Sequence, residues 1–163
     1  MAWKRSRVPA AAALVVACAA TVGAHAATPG AALCKRVSAS AVSAVVDAKL
    51  SGPTARASGG ETSCTYVRVS SQPLVVLIEY GTAGHTTTVA AAEALLRRTE
   101  HGIHFTPVNG LGRPAFYWAF KVGSTTDSGV EAVGGSQVVA AGGTDLTLAQ
   151  DRSLVQLALR AAG

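Results

Sequence analysis

Cys34 and Cys64 are the two residues of this 163-residue chain whose chemistry depends most on compartment. A thiol beside a histidine, or in a Cys-x-x-Cys pair, would point to a nucleophile or a redox centre. Neither cysteine has such a neighbour. The two are therefore expected to close one disulfide, which an oxidising compartment preserves. A bridge over a loop of this span is worth about 3–4 kcal/mol in the chain-entropy model, less any native strain. His101 and His104, with His85 upstream, are the candidate metal ligands. Zinc needs three or four converging donors, and no cysteine or carboxylate cluster lies beside them. Residues three apart in a strand also point to opposite faces, so surface or helix-end histidines are expected, with no metal and no cofactor. Glu61, Glu79, Glu93 and Glu100 could supply acid and base groups, but each falls in a different expected element, and sequence alone pairs none of them. No catalytic residue is assigned, and enzyme status is left open, leaning against.

The remaining short motifs are weaker than their chemistry requires. Gly110-Leu111-Gly112-Arg113-Pro114-Ala115 fits the degenerate fingerprint G-x-G-x-x-A, yet that motif must open a helix whose N-terminus faces a pyrophosphate. Here Pro114 leads into a β pattern, so a turn is expected. Gly134-Gly135-Ser136 lacks the final glycine of the nucleophile elbow G-x-S-x-G. Gln137-Val138-Val139-Ala140-Ala141 misses the glycine of the protease-inhibitor loop Q-x-V-x-G by one place, and a strand is the better account. The densest feature is Ala115-Phe116-Tyr117-Trp118-Ala119-Phe120-Lys121. As a strand it places Phe116, Trp118 and Phe120 on one face and Tyr117, Ala119 and Lys121 on the other. Three large rings together imply core. Tyr117 and Lys121, beside Arg113, form the candidate binding surface, because aromatic side chains serve interfaces as well as cores.

The N-terminus carries Lys4, Arg5 and Arg7, then an apolar run from Val8 to Val22 and the small-x-small site Ala24-His25-Ala26. This is the pattern of a signal peptide over residues 1–26, cleaved before Ala27. The run is shorter than the roughly 20 residues of a membrane span and is interrupted by Pro9 and Thr21. Val15-Val16-Ala17-Cys18 also resembles a lipobox, so acylation of Cys18 is the alternative, leaving a lipid-anchored protein. Either outcome leaves Cys34 and Cys64 as a pair in a periplasmic or extracellular chain. The whole sequence has 14 Lys and Arg against 9 Asp and Glu, a net +5. Without the leader's three cations the balance falls to +2, scattered rather than striped, which argues against a nucleic-acid partner.

Residues 27–163 are expected to form a single exported domain, entered through a short segment at 27–32. Ser38 or Ser40 caps a first helix, AVSAVVDAKL, with Val42, Val45 and Val46 at helical spacing. TARASGGETS reads as a loop. Cys64–Val69 and Leu74–Tyr80 read as a hairpin at the sheet centre, joined by the turn SSQP. A threonine at 86–88 caps the second helix, VAAAEALLRRTE, and Gly102 closes it. Ala115–Val122, GVEAV and SQVVAA read as three more strands, and Asp151 caps a last helix, RSLVQLALRAA. The order α-β-β-α-β-β-β-α gives an α+β fold: an antiparallel sheet of about five strands packed with three helices and stapled by one disulfide.

A cysteine before the first helix, Cys64-Thr65-Tyr66, Val108-Asn109-Gly110-Leu111-Gly112 and a closing helix together resemble small secreted or lipid-anchored domains of unassigned function from GC-rich bacteria. The resemblance implies the bridge and an envelope location. It transfers no catalytic residue, and Arg113 stands where such domains often carry an acid. The expected function is therefore a non-enzymatic envelope module that binds an unknown envelope protein or a small ligand; the membrane enters only if Cys18 is acylated. The alternatives are a hydrolase-type enzyme with a site assembled from dispersed residues and a purely structural domain. A polar cleft joining a histidine to a carboxylate would favour the enzyme, and an apolar groove the binder.

Overall fold

The computed structural model describes residues 34–70, 74–82 and 88–163. The expected leader, Cys18, the entry segment 27–32, most of the SSQP turn and His85 lie outside the described residues. Seven strands form one antiparallel sheet: β1 Leu50–Ser58, β2 Glu61–Arg68, β3 Val75–Thr82, β4 His104–Val108, β5 Ala115–Val122, β6 Thr125–Gly134 and β7 Gln137–Thr144. Their spatial order is β1-β2-β3-β7-β6-β5-β4. Three helices accompany them, α1 Ala39–Val46, α2 Val89–Thr99 and α3 Leu148–Ala162, and residues 34–36 add a helical turn. The α+β class and the disulfide are as expected, but the described residues form seven strands rather than about five, and four helical segments rather than three.

Both strands absent from the sequence reading are the edges of the sheet. β1 is exposed along nearly its whole length, and its register shifts between Ser51 and Thr54. Gly52 makes that irregularity feasible: its φ is 117°, and a Cβ there would stand 2.7 Å from the Thr65 carbonyl oxygen. Pro53 in β1 and Pro107 in β4 are tolerated because an edge strand leaves half its N–H groups without a ladder partner. Polar, proline-bearing segments therefore pair here although they lack the apolar alternation that marks a half-buried strand. The β2–β3 hairpin forms as expected, but the centre of the sheet is β7, the SQVVAA segment, paired on both sides. That placement also disposes of an inhibitor loop at Gln137, since the segment is ladder rather than loop.

The two faces of the sheet are covered unequally. On the first, Cys64, Tyr66, Val76, Ile78, Val130, Ala132, Val139 and Ala141 pack with Val42 and Val46 of α1 and Leu154, Val155 and Ala158 of α3. On the second, Phe116, Phe120 and Val133 pack with Ala92 and Leu96 of α2 and with Ile103. We call these the disulfide face and the aromatic face. Helix caps differ from expectation where backbone geometry decides. Ser38 caps α1, but the helix stops at Val46 because Asp47 takes a left-handed conformation, φ 52°. Thr88 caps α2. Thr147, not Asp151, caps α3, in a reciprocal pair with Gln150; Asp151 lies within the first turn and is 0% exposed.

The disulfide face is anchored twice at one place. Cys34 and Cys64 are bonded with their Cα atoms 5.5 Å apart. Two residues along β2 and on the same face, the buried Tyr66 hydroxyl donates 2.7 Å to the carbonyl of the buried Val37. Burial pushes the Tyr66 phenol up to about 12, so this donor keeps its proton through the physiological range. Arg36 then donates 2.8 Å to the Ala161 carbonyl, tying the same segment to the end of α3. Replacing both cysteines by serine is expected to cost about 3–4 kcal/mol in urea denaturation. Tyr66→Phe, which strands a buried carbonyl, should cost about 1–3 kcal/mol by the same measurement.

Candidate functional site

Alternation along the strands fixes which side chains can meet beneath α2. On the aromatic face, pairing aligns Ser63, Glu79, Ala140, Glu131 and Phe116 in one row across β2, β3, β7, β6 and β5. The next row holds Thr65, Leu77, Gly142, Gly129 and Trp118. The middle of this face thus carries Ala140, Gly142 and Gly129, almost without side chains. Neither glycine is free to change. A Cβ on Gly142 would overlap the Ser128 carbonyl, and one on Gly129 would stand 2.6 Å from Trp118 Cζ2. Gly129 therefore lets the indole lie down over the sheet, where it stacks on Phe120 with ring centroids 5.8 Å apart.

The result is a cavity of about 140 Å³ between α2 and the sheet, bounded above by Ala92, Leu95 and Leu96 and flanked by Trp118, Phe120, Val138 and Leu77. Four carboxyls line it: Glu61, Glu79, Glu131 and, at the far end, Asp127. Glu79 and Glu131 flank Ala140 from adjacent strands, so their Cα atoms are about 10 Å apart and both side chains point into the same space. Glu61 faces Gly81 across the β2–β3 ladder. A Cβ on Gly81 would stand 2.8 Å from Glu61 Cγ, so the glycine makes room for that side chain to lean inward.

Burial dominates the electrostatics of these groups. Glu131 is 7% exposed, and desolvation, with repulsion from Glu61, pushes its carboxyl up to about 7. Glu79 is pushed to about 7 by desolvation and by repulsion from Glu61 and Glu131. Desolvation also raises Glu61. A second buried acid lies on the opposite face: Asp151 accepts a 2.6 Å hydrogen bond from Ser128 Oγ. Burial raises it to about 7, a shift that the Ser128 bond partly offsets. Asp151 Oδ1 has no hydrogen-bond partner among the described residues.

The residues singled out from sequence are not the ones that line this cavity. Tyr117 lies half-buried against the core of the disulfide face, and Lys121 is exposed at the end of β5, about 13 Å further along the strand. Arg113 packs along Gly134, with Nη1 buried and unpaired among the described residues. The strand separates the three rather than gathering them. His101 and His104 are both exposed, and neither lines the cavity. Among the described residues no three His, Cys, Asp or Glu side chains converge to hold a metal ion. The Gly110–Ala115 segment leads into β5 and Gly134-Gly135-Ser136 is the β6–β7 turn, so neither motif has the helix that its chemistry would need. Glu61 and Glu79 were visible as separate carboxylates, whereas Glu131 hid inside the apolar string GVEAV. The period-2 spacing of Gly129 and Glu131 in the expected strand GVEAV is the available signal.

No family model, curated protein or solved structure matches the chain. Among the described residues, no helix is long and apolar enough to cross a membrane. The disulfide is consistent with an exported location.

The raised carboxyls set the pH dependence of stability. An acid whose folded-state value exceeds its unfolded value binds more protons in the native state, so stability falls as pH rises between the two values. For Glu79, Glu131 and Asp151 that window runs from about pH 4 to about pH 7. Urea denaturation should find the protein more stable at pH 5 than at pH 8, by on the order of a few kcal/mol. Glu131→Gln, which removes one buried acid, should reduce that slope and raise stability at pH 8.

Proposed function

We propose that this chain is a non-enzymatic binding module that works outside the cytoplasmic membrane and houses a small organic ligand between α2 and the aromatic face. The observation that carries the reading is the floor of the cavity. Gly129, Gly142 and Ala140 remove side chains from the centre of a sheet face, where packing normally demands β-branched or aromatic residues. The space so created is walled by Trp118, Leu77 and Leu95 and holds a few polar groups at one side. An apolar recess with a small number of convergent polar groups is the usual form of a small-molecule site. The export signals of the N-terminus, the Cys34–Cys64 bridge and the resemblance to secreted bacterial domains support the location.

A second reading, a hydrolase using Glu79 and Glu131 as acid and base, draws support from two carboxyls held near neutrality in one cavity; such shifts cluster at catalytic sites. Binding is favoured because the walls are mostly apolar and no histidine among the described residues joins the carboxyls.

N-phenyl-1-naphthylamine, an uncharged apolar dye that fluoresces on leaving water, tests the proposal directly. The oxidised protein should bind it at about one equivalent with micromolar affinity. Ala140→Phe places a ring in the cavity and should weaken binding at least tenfold while the far-UV circular dichroism is retained. Tyr117→Ala, on the other face, should leave binding unchanged. Absence of dye binding to the wild-type protein, or equal binding by Ala140→Phe, would remove the proposed site.

A further inference from the structure

The cavity contains an imbalance that its apolar walls do not explain. Glu61, Glu79, Glu131 and Asp127 all face it, and no Lys, Arg or His among the described residues lines it. No element packed around it supplies a counter-charge among the described residues. On α2, Arg97 stacks over the Phe105 ring, 4.4 Å from its centroid, Arg98 is exposed, and Glu93 and Glu100 are themselves acidic. On β1, Arg56 aligns with Ser63 and hence with the Glu79 row, but it is exposed and outside the cavity. Lys121 of β5 and His104 of β4 alternate onto the disulfide side of the sheet, as does Arg68 of β2.

Glu131 is the decisive group, because it is more than nine-tenths buried, aimed into the cavity, and meets no hydrogen-bond donor among the described residues. Glu131 is buried as a residue, but its carboxyl oxygens open onto the cavity, where desolvation disfavours the bare charge and a cationic partner has a place to sit. Resting on the reading that the cavity binds a small molecule, we propose that its ligand class is a primary organic amine, bound as the ammonium ion. The head lies among Glu131, Glu79 and Glu61, and the apolar body lies against Trp118 and Leu77.

The chemistry fits at both ends. An ammonium offers three donors to carboxylate oxygens, and the indole of Trp118 with Leu77 gives its apolar body a surface to lie on. A carboxylate ligand would meet like charge, and an uncharged alcohol would leave Glu131 no better partnered than a neutral hydroxyl allows. Binding of the cation requires that a carboxyl give up its proton, so protons are released on binding and affinity must rise with pH. For one carboxyl that titrates near 7 in the empty site, affinity for an ammonium should fall on the order of 100-fold from pH 8 to pH 5.

Displacement of N-phenyl-1-naphthylamine by 4-phenylbutylamine, 4-phenylbutanol and 4-phenylbutyrate tests this, since the three share one apolar body and differ only in the head. At pH 8 the amine should bind at least tenfold more tightly than the alcohol, and the butyrate most weakly. The advantage of the amine should vanish by pH 5, while alcohol affinity stays flat. Glu131→Gln should cut amine affinity at least tenfold and leave alcohol and dye affinities within about threefold, which also reports that the variant is folded. Glu93→Gln, outside the cavity, should change nothing. Equal affinity for amine and alcohol at pH 8, tighter binding of the butyrate, or dye binding with no displacement by any of the three would overturn the amine assignment and leave the binding module standing. Failure of the wild-type protein to bind the dye would overturn the underlying reading as well.

Discussion

An antiparallel sheet of seven strands must hide two faces, and the helices among the described residues are enough for one. Six interstrand spacings of about 4.8 Å make the sheet roughly 29 Å wide. α1 and α3 together cover the disulfide face, α3 alone being 15 residues long. Among the described residues the aromatic face receives only α2, whose 11 residues form a cylinder about 16 Å long and 10 Å across. Such a helix can seal part of the face. It seals the part over β5 and β6, where Phe116, Phe120 and Val133 meet Ala92 and Leu96. Beside that part, Ala140 and Gly142 of β7 with Gly129 of β6 form a floor of small residues beneath the helix edge, and the shortfall of cover becomes a cavity rather than an exposed apolar patch. The remaining strip, toward β2, carries Ser63 and Thr65, which suit solvent.

Stability and the proposed binding site are therefore placed on opposite faces. The bridge between Cys34 and Cys64, the Tyr66–Val37 hydrogen bond, and the packing of α1 and α3 all belong to the disulfide face. They hold the strands in register without using a residue of the aromatic face. β7 transmits that rigidity, because Val139 and Ala141 sit in the large core while Ala140 and Gly142, one residue away, form the floor of the cavity. A site built on a central strand is positioned more precisely than one built on loops. The lid, in contrast, rests on a small cluster, so changes in α2 should alter the site before they alter the fold.

Much of this architecture was legible from periodicity, and what was missed shares a cause. The hairpin β2–β3 and the aromatic strand announced themselves through β-branched or alternating runs, and the disulfide followed from cysteine count. β1 and β4 gave no such signal because an edge strand with solvent on most sides has no need of apolar alternation, and because Pro53 and Pro107 read as breaks. The N-cap of α3 was displaced from Thr147 to Asp151 for a related reason: an acid before an apolar run looks like a cap, and nothing local reveals that it is bonded to Ser128 from a distant strand. The candidate site was the least legible feature. Assigning three rings to one face of β5 was sound, but taking that face wholly as core moved attention to Tyr117 and Lys121. Trp118 belongs to both core and cavity, and which it serves depends on Gly129 and Gly142, residues separated in sequence and joined only by the β6–β7 register.

The cavity is also where the chain departs furthest from what its own fold would favour. Valine or isoleucine at 79 and 131 would bury apolar surface in the middle of a sheet, and each would avoid the desolvation that drives those carboxyls toward neutrality. Glycine at 129 and 142 forgoes side-chain packing on central strands and adds backbone entropy to the unfolded chain. These four choices converge on one space, and each is locally unfavourable, whereas the opposite face, built from the same strands, contains Val76, Ile78, Val130 and Val139 in their ordinary places. Buried groups at odds with their surroundings occur elsewhere, as at Asp151, but only here do such choices gather around an open space, which is the pattern that the proposed binding site would require. The glycines create room and the glutamates give that room a sign. Neither set would be useful without the other.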